Sequence, residues 1–221
     1  MILYLIFIFF TQSSFQLQEG DLLFQDLDCG PFCESIEKVT QGYRGANLSH
    51  VGIVIKTEAG ELAVIEAGGQ GVVITEIDSF LFRSLDANHA PKVLVGRLNE
   101  EYRKLIPAAL VSAQSVLGAE YDDLFVIEND KFYCSELVYE SFKIANHGKA
   151  IFSLFPMTYI DPETDKTFGI WTDYFEGYNS LVPEGQPGLN PGGISRSKAL
   201  KIVHQYGVPS GMATINPQSK N

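Results

Sequence analysis

The amino-acid sequence predicts an α+β fold, an antiparallel sheet or small barrel packed against helices. Three observations carry that expectation. Two β-rich segments, 48–56 and 63–67, flank Thr57, Glu58, Ala59, Gly60 and Glu61, whose turn chemistry joins them as an antiparallel hairpin. Further short strands are expected at 22–24, 71–77 and 92–98. Two longer segments, 100–117 and 133–145, then show helical spacing.

Taken in order, Ile2 to Phe10 is an uninterrupted apolar run, followed by Thr11, Gln12, Ser13 and Ser14. It is too short to span a bilayer, which needs about 20 helical residues. It fits the apolar core of a secretory signal peptide, with Ser13 and Ser14 in the cleavage region, although no Lys or Arg precedes it. Residues 1–16 are therefore read as a leader and 17–221 as one domain, an interfacial anchor or a buried first strand being the alternatives. No other segment is apolar enough to cross a membrane, so the mature chain is expected to be soluble and exported, periplasmic or secreted.

Gly20 and Asp21 turn into the strand Leu22–Phe24, and Ser35–Gln41 reads as helix. In the strand Leu48–Lys56, His50, Gly52 and Val54 share one face, and Val51, Ile53 and Ile55 the other. The helix Glu100–Leu117 is closed by Gly118. In the helix Tyr133–Ala145, Cys134, Leu137, Val138, Phe142 and Ala145 line one side. Beyond Gly148 the chain is rich in Pro and Gly, ending in a short helix near Ser195–Gln205.

Composition narrows the function. With 27 acidic and 16 basic side chains the net charge is −11, and no run of Lys or Arg forms a basic stripe, so nucleic acid is a poor partner. Three cysteines are too few for a disulfide scaffold, and the odd number leaves at least one unpaired within the chain. Cys29 and Cys33 sit in a polar loop, compatible with a local disulfide or with two idle thiols. Cys134 stands at the start of a helix preceded by the cap formers Asn129 and Asp130, where the helix dipole lowers a thiol pKa.

A hairpin turn centred on residue 58 or 59 places His50 and Glu66 face to face or one diagonal apart on the same side of the sheet. A carboxylate there accepts the imidazole Nδ1 hydrogen and stabilises the protonated ring. Glu66 lies between Ile65 and Ala67, where an unpaired carboxylate would be costly to bury. The other histidines, His89, His147 and His204, face no acid at a defined spacing. No Cys or His set shows zinc-ligand spacing, so neither metal nor cofactor is expected.

The succession Gly20-Asp21-Leu22-Leu23-Phe24, Ser49-His50-Val51-Gly52-Ile53-Val54, Val64-Ile65-Glu66-Ala67, Tyr121-Asp122 and Phe132-Tyr133-Cys134-Ser135-Glu136-Leu137-Val138 resembles the permuted branch of the NlpC/P60 cysteine hydrolases. Within it, the chain is similar to the YiiX/YaeF-like permuted papain-like amidases. The likeness spans about residues 20–197 and includes Pro187-Gly188-Leu189-Asn190-Pro191-Gly192. It implies a circularly permuted papain-like fold, with Cys134 as nucleophile, His50 as general base and acid, and Glu66 as orienting acid. Tyr121 and Tyr133 are expected to line the cleft, and no side chain is assigned to an oxyanion hole. The implied activity is a cysteine amidase or peptidase acting through a thioester on small amides, such as cell-wall peptides or N-acylated amino acids. A lipid acyltransferase or thioesterase on the same triad, and a catalytically silent peptide- or lipid-binding protein, are the alternatives.

Overall fold

The strand-rich first half of the chain supplies five strands of one six-stranded antiparallel sheet, and residues 200–205 the sixth, in a computed structural model that describes residues 15–213. The apolar run 2–10 and the Ser13–Ser14 region lie outside the described residues. In chain order the elements are β1 (Leu22–Gln25), α1 (Pro31–Val39), a 3-10 turn (Tyr43–Gly45), β2 (His50–Lys56), β3 (Leu62–Gly68), β4 (Gly71–Glu76), α2 (Ile77–Leu81) and β5 (Val93–Leu98). There follow α3 (Glu100–Arg103), α4 (Ile106–Ser115), α5 (Cys134–Ala145), β6 (Phe155–Pro156), β7 (Ile160–Asp161), β8 (Lys166–Thr167) and α6 (Gly169–Gly177). β9 (Pro187–Gly188), α7 (Pro191–Ser195) and β10 (Leu200–Gln205) complete the chain. The sheet order is β10-β5-β1-β2-β3-β4.

Alternation along the strands sorts their side chains into two cores. Leu22, Phe24, Val51, Ile53, Ile55, Ile65 and Leu94 join Leu137, Val138 and Phe142 of α5 and Trp171 and Phe175 of α6 in the larger one. Leu23, Val54, Val64, Val93 and Val95 pack against Phe80 and Leu81 of α2. Because both faces are covered, the central strands are apolar at nearly every position. None of the described helices is long and apolar enough to cross a membrane.

The hairpin forms as expected. β2 and β3 pair with Ile53 opposite Ile65 and Val54 opposite Val64, which centres the turn on Ala59. The turn is closed by Thr57 donating to Glu61 at 2.8 Å, with Gly60 at φ +83°.

Several elements differ from the sequence reading. The first helix starts at Pro31 rather than Ser35, since proline suits the first helical turn. The helix expected over 100–117 is broken into α3 and α4 at Pro107, which has no amide hydrogen to continue a ladder. The segment 195–205 is not a helix: Leu200–Gln205 is an edge strand on β5. Its period-two burial, with the β-branched pair Ile202 and Val203, is a strand pattern. α2 and α6 had no counterpart in that reading.

Phe15 and Gln16, the end of the expected leader, are described. The Phe15 ring stacks on His204 at 4.1 Å, and the Gln16 carbonyl accepts from Arg97 at 3.1 Å. His89 and His147 both lie at positive φ outside helices and strands.

Candidate active site

Cys134 is the first residue of α5, with Tyr133 in the N-cap position, and it is 6% exposed. The helix has no side-chain cap, so Asn129 and Asp130 do not serve as expected. Asn129 Oδ1 instead accepts from the Lys131 amide at 3.1 Å within the preceding turn. Uncapped amides at this helix start add the positive end of the dipole to the thiol's surroundings.

His50 begins β2, where the ladder to β3 has already ended. Glu66, diagonal to it on β3, meets it with Nε2 to Oε2 at 2.5 Å. The contact thus uses Nε2 and not the Nδ1 expected from sequence, because the diagonal offset turns the far end of the ring to the carboxylate. Gly52 lies between them along β2. A Cβ there would collide with Val64 Cγ1 and sit 3.3 Å from Glu66 Cβ, so the bare backbone keeps the lane open.

Two more side chains, neither singled out from sequence, complete the acid's surroundings. Thr75 Oγ1 donates to Glu66 Oε1 at 2.6 Å, and Arg83 donates to Oε1 and Oε2 at 3.1 and 2.7 Å. Arg83 is aimed by Gln25 Oε1, which accepts its Nε at 3.1 Å, and by the Phe80 ring 4.4 Å beneath it. Thr75 was legible as a near neighbour of Glu66 on the next strand. Arg83 had no sequence signal, because it follows the unrecognised α2.

Burial alone would push all three groups towards their neutral forms, yet the partners reverse this. Hydrogen bonds to Cys134 and Glu66 raise His50 to about 9 against its desolvation. Desolvation also opposes the Glu66 charge, but His50 and then Arg83 hold the carboxyl down at about 2. Cys134 is likewise desolvated, and His50, Ser135 and the Val51 amide bring its thiol below the ordinary value. These shifts favour a thiolate–imidazolium pair backed by an ionised carboxylate.

Cys134 opens onto a cleft whose walls include Tyr121 and Tyr133, with Phe125, Met157, Tyr159 and Trp171. Asp122 supports it structurally by accepting from the Leu124 and Val126 amides at 3.0 and 2.5 Å, within the loop that presents Phe125. The Pro187–Gly192 element also reaches the cleft. Asn190 caps α7 through Gly193 at 2.8 Å and donates to Thr40 Oγ1 at 2.6 Å, fixing Leu189, Asn190 and Pro191 as walls. Cys29 and Cys33 are joined in a disulfide at the start of α1, which leaves Cys134 as the free cysteine.

The sequence matches the family model described as permuted papain-like amidase enzyme, YaeF/YiiX, C92 family, over residues 16–204. Among solved structures, the crystal structure of the metalloprotein yiiX from Escherichia coli O157:H7 is similar, with a TM-score of 0.71 and 20% identity, covering 87% of this chain and 99% of that one. At that identity the likeness speaks to the fold alone. A search of the curated proteins finds no match. Among the described residues of this chain, no group of three or more His, Cys, Asp and Glu side chains offers a donor set for a metal ion. With the residues matched by the family model and the mixed antiparallel fold in agreement, this chain belongs to the permuted papain-like amidases of the YaeF/YiiX family.

Proposed function

We propose that the chain is an exported cysteine hydrolase, an amidase or peptidase cleaving small amides such as cell-wall peptides or N-acylated amino acids. Cys134 is its nucleophile, His50 its base and acid, and Glu66 its orienting acid. The observation that carries this reading is the buried His50–Glu66 hydrogen bond at 2.5 Å together with a Cys134 thiol, at the first residue of a helix, that His50 draws below its ordinary value.

The Cys134 thiolate attacks the substrate carbonyl carbon, and the carbonyl electron pair moves onto oxygen. The Cys134 amide at the helix start is the donor nearest in sequence to that oxyanion. When the carbonyl re-forms, the C–N bond breaks, and the His50 imidazolium hydrogen goes to the leaving amine, leaving a thioester. A water then gives a proton to His50 and attacks the thioester. The C–S bond breaks, the acid departs and the ion pair is restored. Tyr121 and Tyr133 wall the substrate beside the sulfur.

Iodoacetamide at near-neutral pH is expected to label Cys134 rapidly in the wild type and slowly in His50→Ala; equal rates in the two proteins would refute the activated thiol. Incubation of wild type and Cys134→Ser with muropeptides, acyl-amino acids and lipid esters then assigns the substrate class. The predominantly apolar cleft lining favours a second reading, acyl transfer on the same triad. It would show as product partitioning towards an added amine or alcohol. Export is supported by the Cys29–Cys33 disulfide, which persists in oxidising compartments, and the packing of Phe15 on His204 favours a leader ending at Ser14.

A further inference from the structure

The Cys29–Cys33 disulfide takes no part in the thioester chemistry, and its two ends differ. Cys29 stands exposed in the loop after β1, whereas Cys33 is 4% exposed as the third residue of α1. A thiolate arriving from solvent therefore meets Cys29 first. Exposed disulfides are the more readily reduced ones, because attack needs access to one sulfur.

The sulfur that would leave is well placed to carry charge. α1 opens at Gly30 and Pro31 with no side-chain cap among the described residues, and the amides of its first turn have no carbonyl within the helix to bond. Those amides favour a Cys33 thiolate over an ordinary buried one. The carboxyls on the same helix oppose it weakly. Glu34 is exposed, and burial raises Glu37, one turn beyond Cys33, to about 7, so near neutral pH a large share of it is uncharged.

The bond also joins two parts of the molecule. On the Cys29 side, Asp28 is anchored by Lys92 Nζ and Ser84 Oγ, which donate to it at 2.6 and 3.2 Å. On the Cys33 side, Phe32 packs on Trp171 with ring centroids 4.7 Å apart, and Ile36 and Val39 of α1 wall the cleft with Trp171. One wall of the cleft is thus tied to a fixed loop.

We infer that Cys29–Cys33 is a thiol-exchange site, opened through Cys29 by low-molecular-weight thiols, and that its oxidised form holds the α1 wall of the cleft in place. A thiolate attacks Cys29 Sγ, the S–S bond breaks, and its electron pair leaves on Cys33 Sγ, which takes a proton from water. A second thiolate attacks the incoming sulfur of the mixed disulfide, and Cys29 leaves as a thiolate that is protonated in turn. The cysteine pair is reduced to two thiols while two external thiols are oxidised to one disulfide. For an exported chain, the cleft would be set only after it leaves a reducing compartment. Only the kinetic readout of this site rests on the hydrolase reading.

The test begins with Cys134→Ser, in which the pair are the only cysteines. In glutathione buffers of graded ratio without denaturant, iodoacetamide trapping and peptide mass mapping should place glutathione on Cys29 and the alkyl group on Cys33, with the far-ultraviolet signature of the fold retained. Glutathione on Cys33, or a bond that opens only when the chain unfolds, overturns the site. Trp171, the chain's single tryptophan, should change its emission on reduction and recover on reoxidation; an unchanged emission overturns the hold on the cleft wall. The Cys29→Ser, Cys33→Ser double variant should turn over para-nitrophenyl butyrate with kcat/KM about tenfold below the wild type. Equal, measurable turnover likewise overturns that hold. If neither protein hydrolyses the ester while exchange and emission behave as stated, the hydrolase reading fails and the exchange site stands.

Discussion

Glu66 on β3 and Glu136 on α5 are the same residue type at nearly the same depth, 3% and 1% exposed, and their surroundings shift the two carboxyls in opposite directions. Glu66 receives His50, Thr75 and both terminal nitrogens of Arg83. Glu136 has the Glu128 amide on Oε1 at 3.1 Å, an Oε2 with no partner among the described residues, and the charge of buried Asp122 acting against it. Desolvation first, and Asp122 with it, raise Glu136 to about 8, whereas Glu66 is held at about 2. Depth sets the cost of a buried charge, and the partners decide whether it is borne.

The two carboxyls therefore tilt stability against pH in opposite senses. Glu66, depressed in the folded state, contributes stability above its unfolded value of 4.5 that is lost as pH falls towards 2. Glu136, raised in the folded state, keeps a proton that the unfolded chain releases, so it costs stability increasingly from 4.5 up to about 8.

The largest expected effect comes from neutralising the paired carboxylate. Glu66→Gln should lower kcat/KM by about 100-fold or more, because the amide no longer stabilises the imidazolium and leaves Arg83 without its counter-ion. An unchanged rate would mean that Glu66 serves structure only. Next, Glu136→Gln should raise stability by on the order of 2 kcal/mol in urea denaturation at pH 8.5, with the gain vanishing near pH 4, where both states are protonated. A loss at alkaline pH would show that Glu136 is ionised and partnered after all. The smallest effect belongs to Arg83→Gln. Releasing Glu66 from its second cation gives His50 more of the carboxylate's charge, so the alkaline limb of Cys134 labelling should move up from about 9 by about one pH unit. A downward shift would mean that Arg83 acts by holding Glu66 in place.

The same pair shows how far the sequence could be read. The cost of an unpaired carboxylate in an apolar strand singled out Glu66, because alternation and a five-residue turn fix its neighbour across the hairpin. The identical argument applied to Glu136 was not available, since a helix offers no register that names a partner. Cys134 was legible from its place at a helix start, although the caps assigned to it were wrong. Arg83, Tyr159 and Trp171 were not. They sit in or beside α2, β7 and α6, short elements placed by tertiary packing, without a period long enough to reveal them.

The strand that the sequence misread has a consequence of its own. β10 covers the outer edge of β5, Val93–Leu98, an apolar row whose backbone groups would otherwise be open to another chain. β10 itself bears the exposed Lys201 and a register irregularity between Ile202 and His204, both of which discourage a further strand from adding. Residues 200–205 thus act as a guard against self-association. A chain ending before Leu200 would keep Cys134, His50 and Glu66 and still be lost to aggregation, through a sheet edge that the catalytic chemistry never touches.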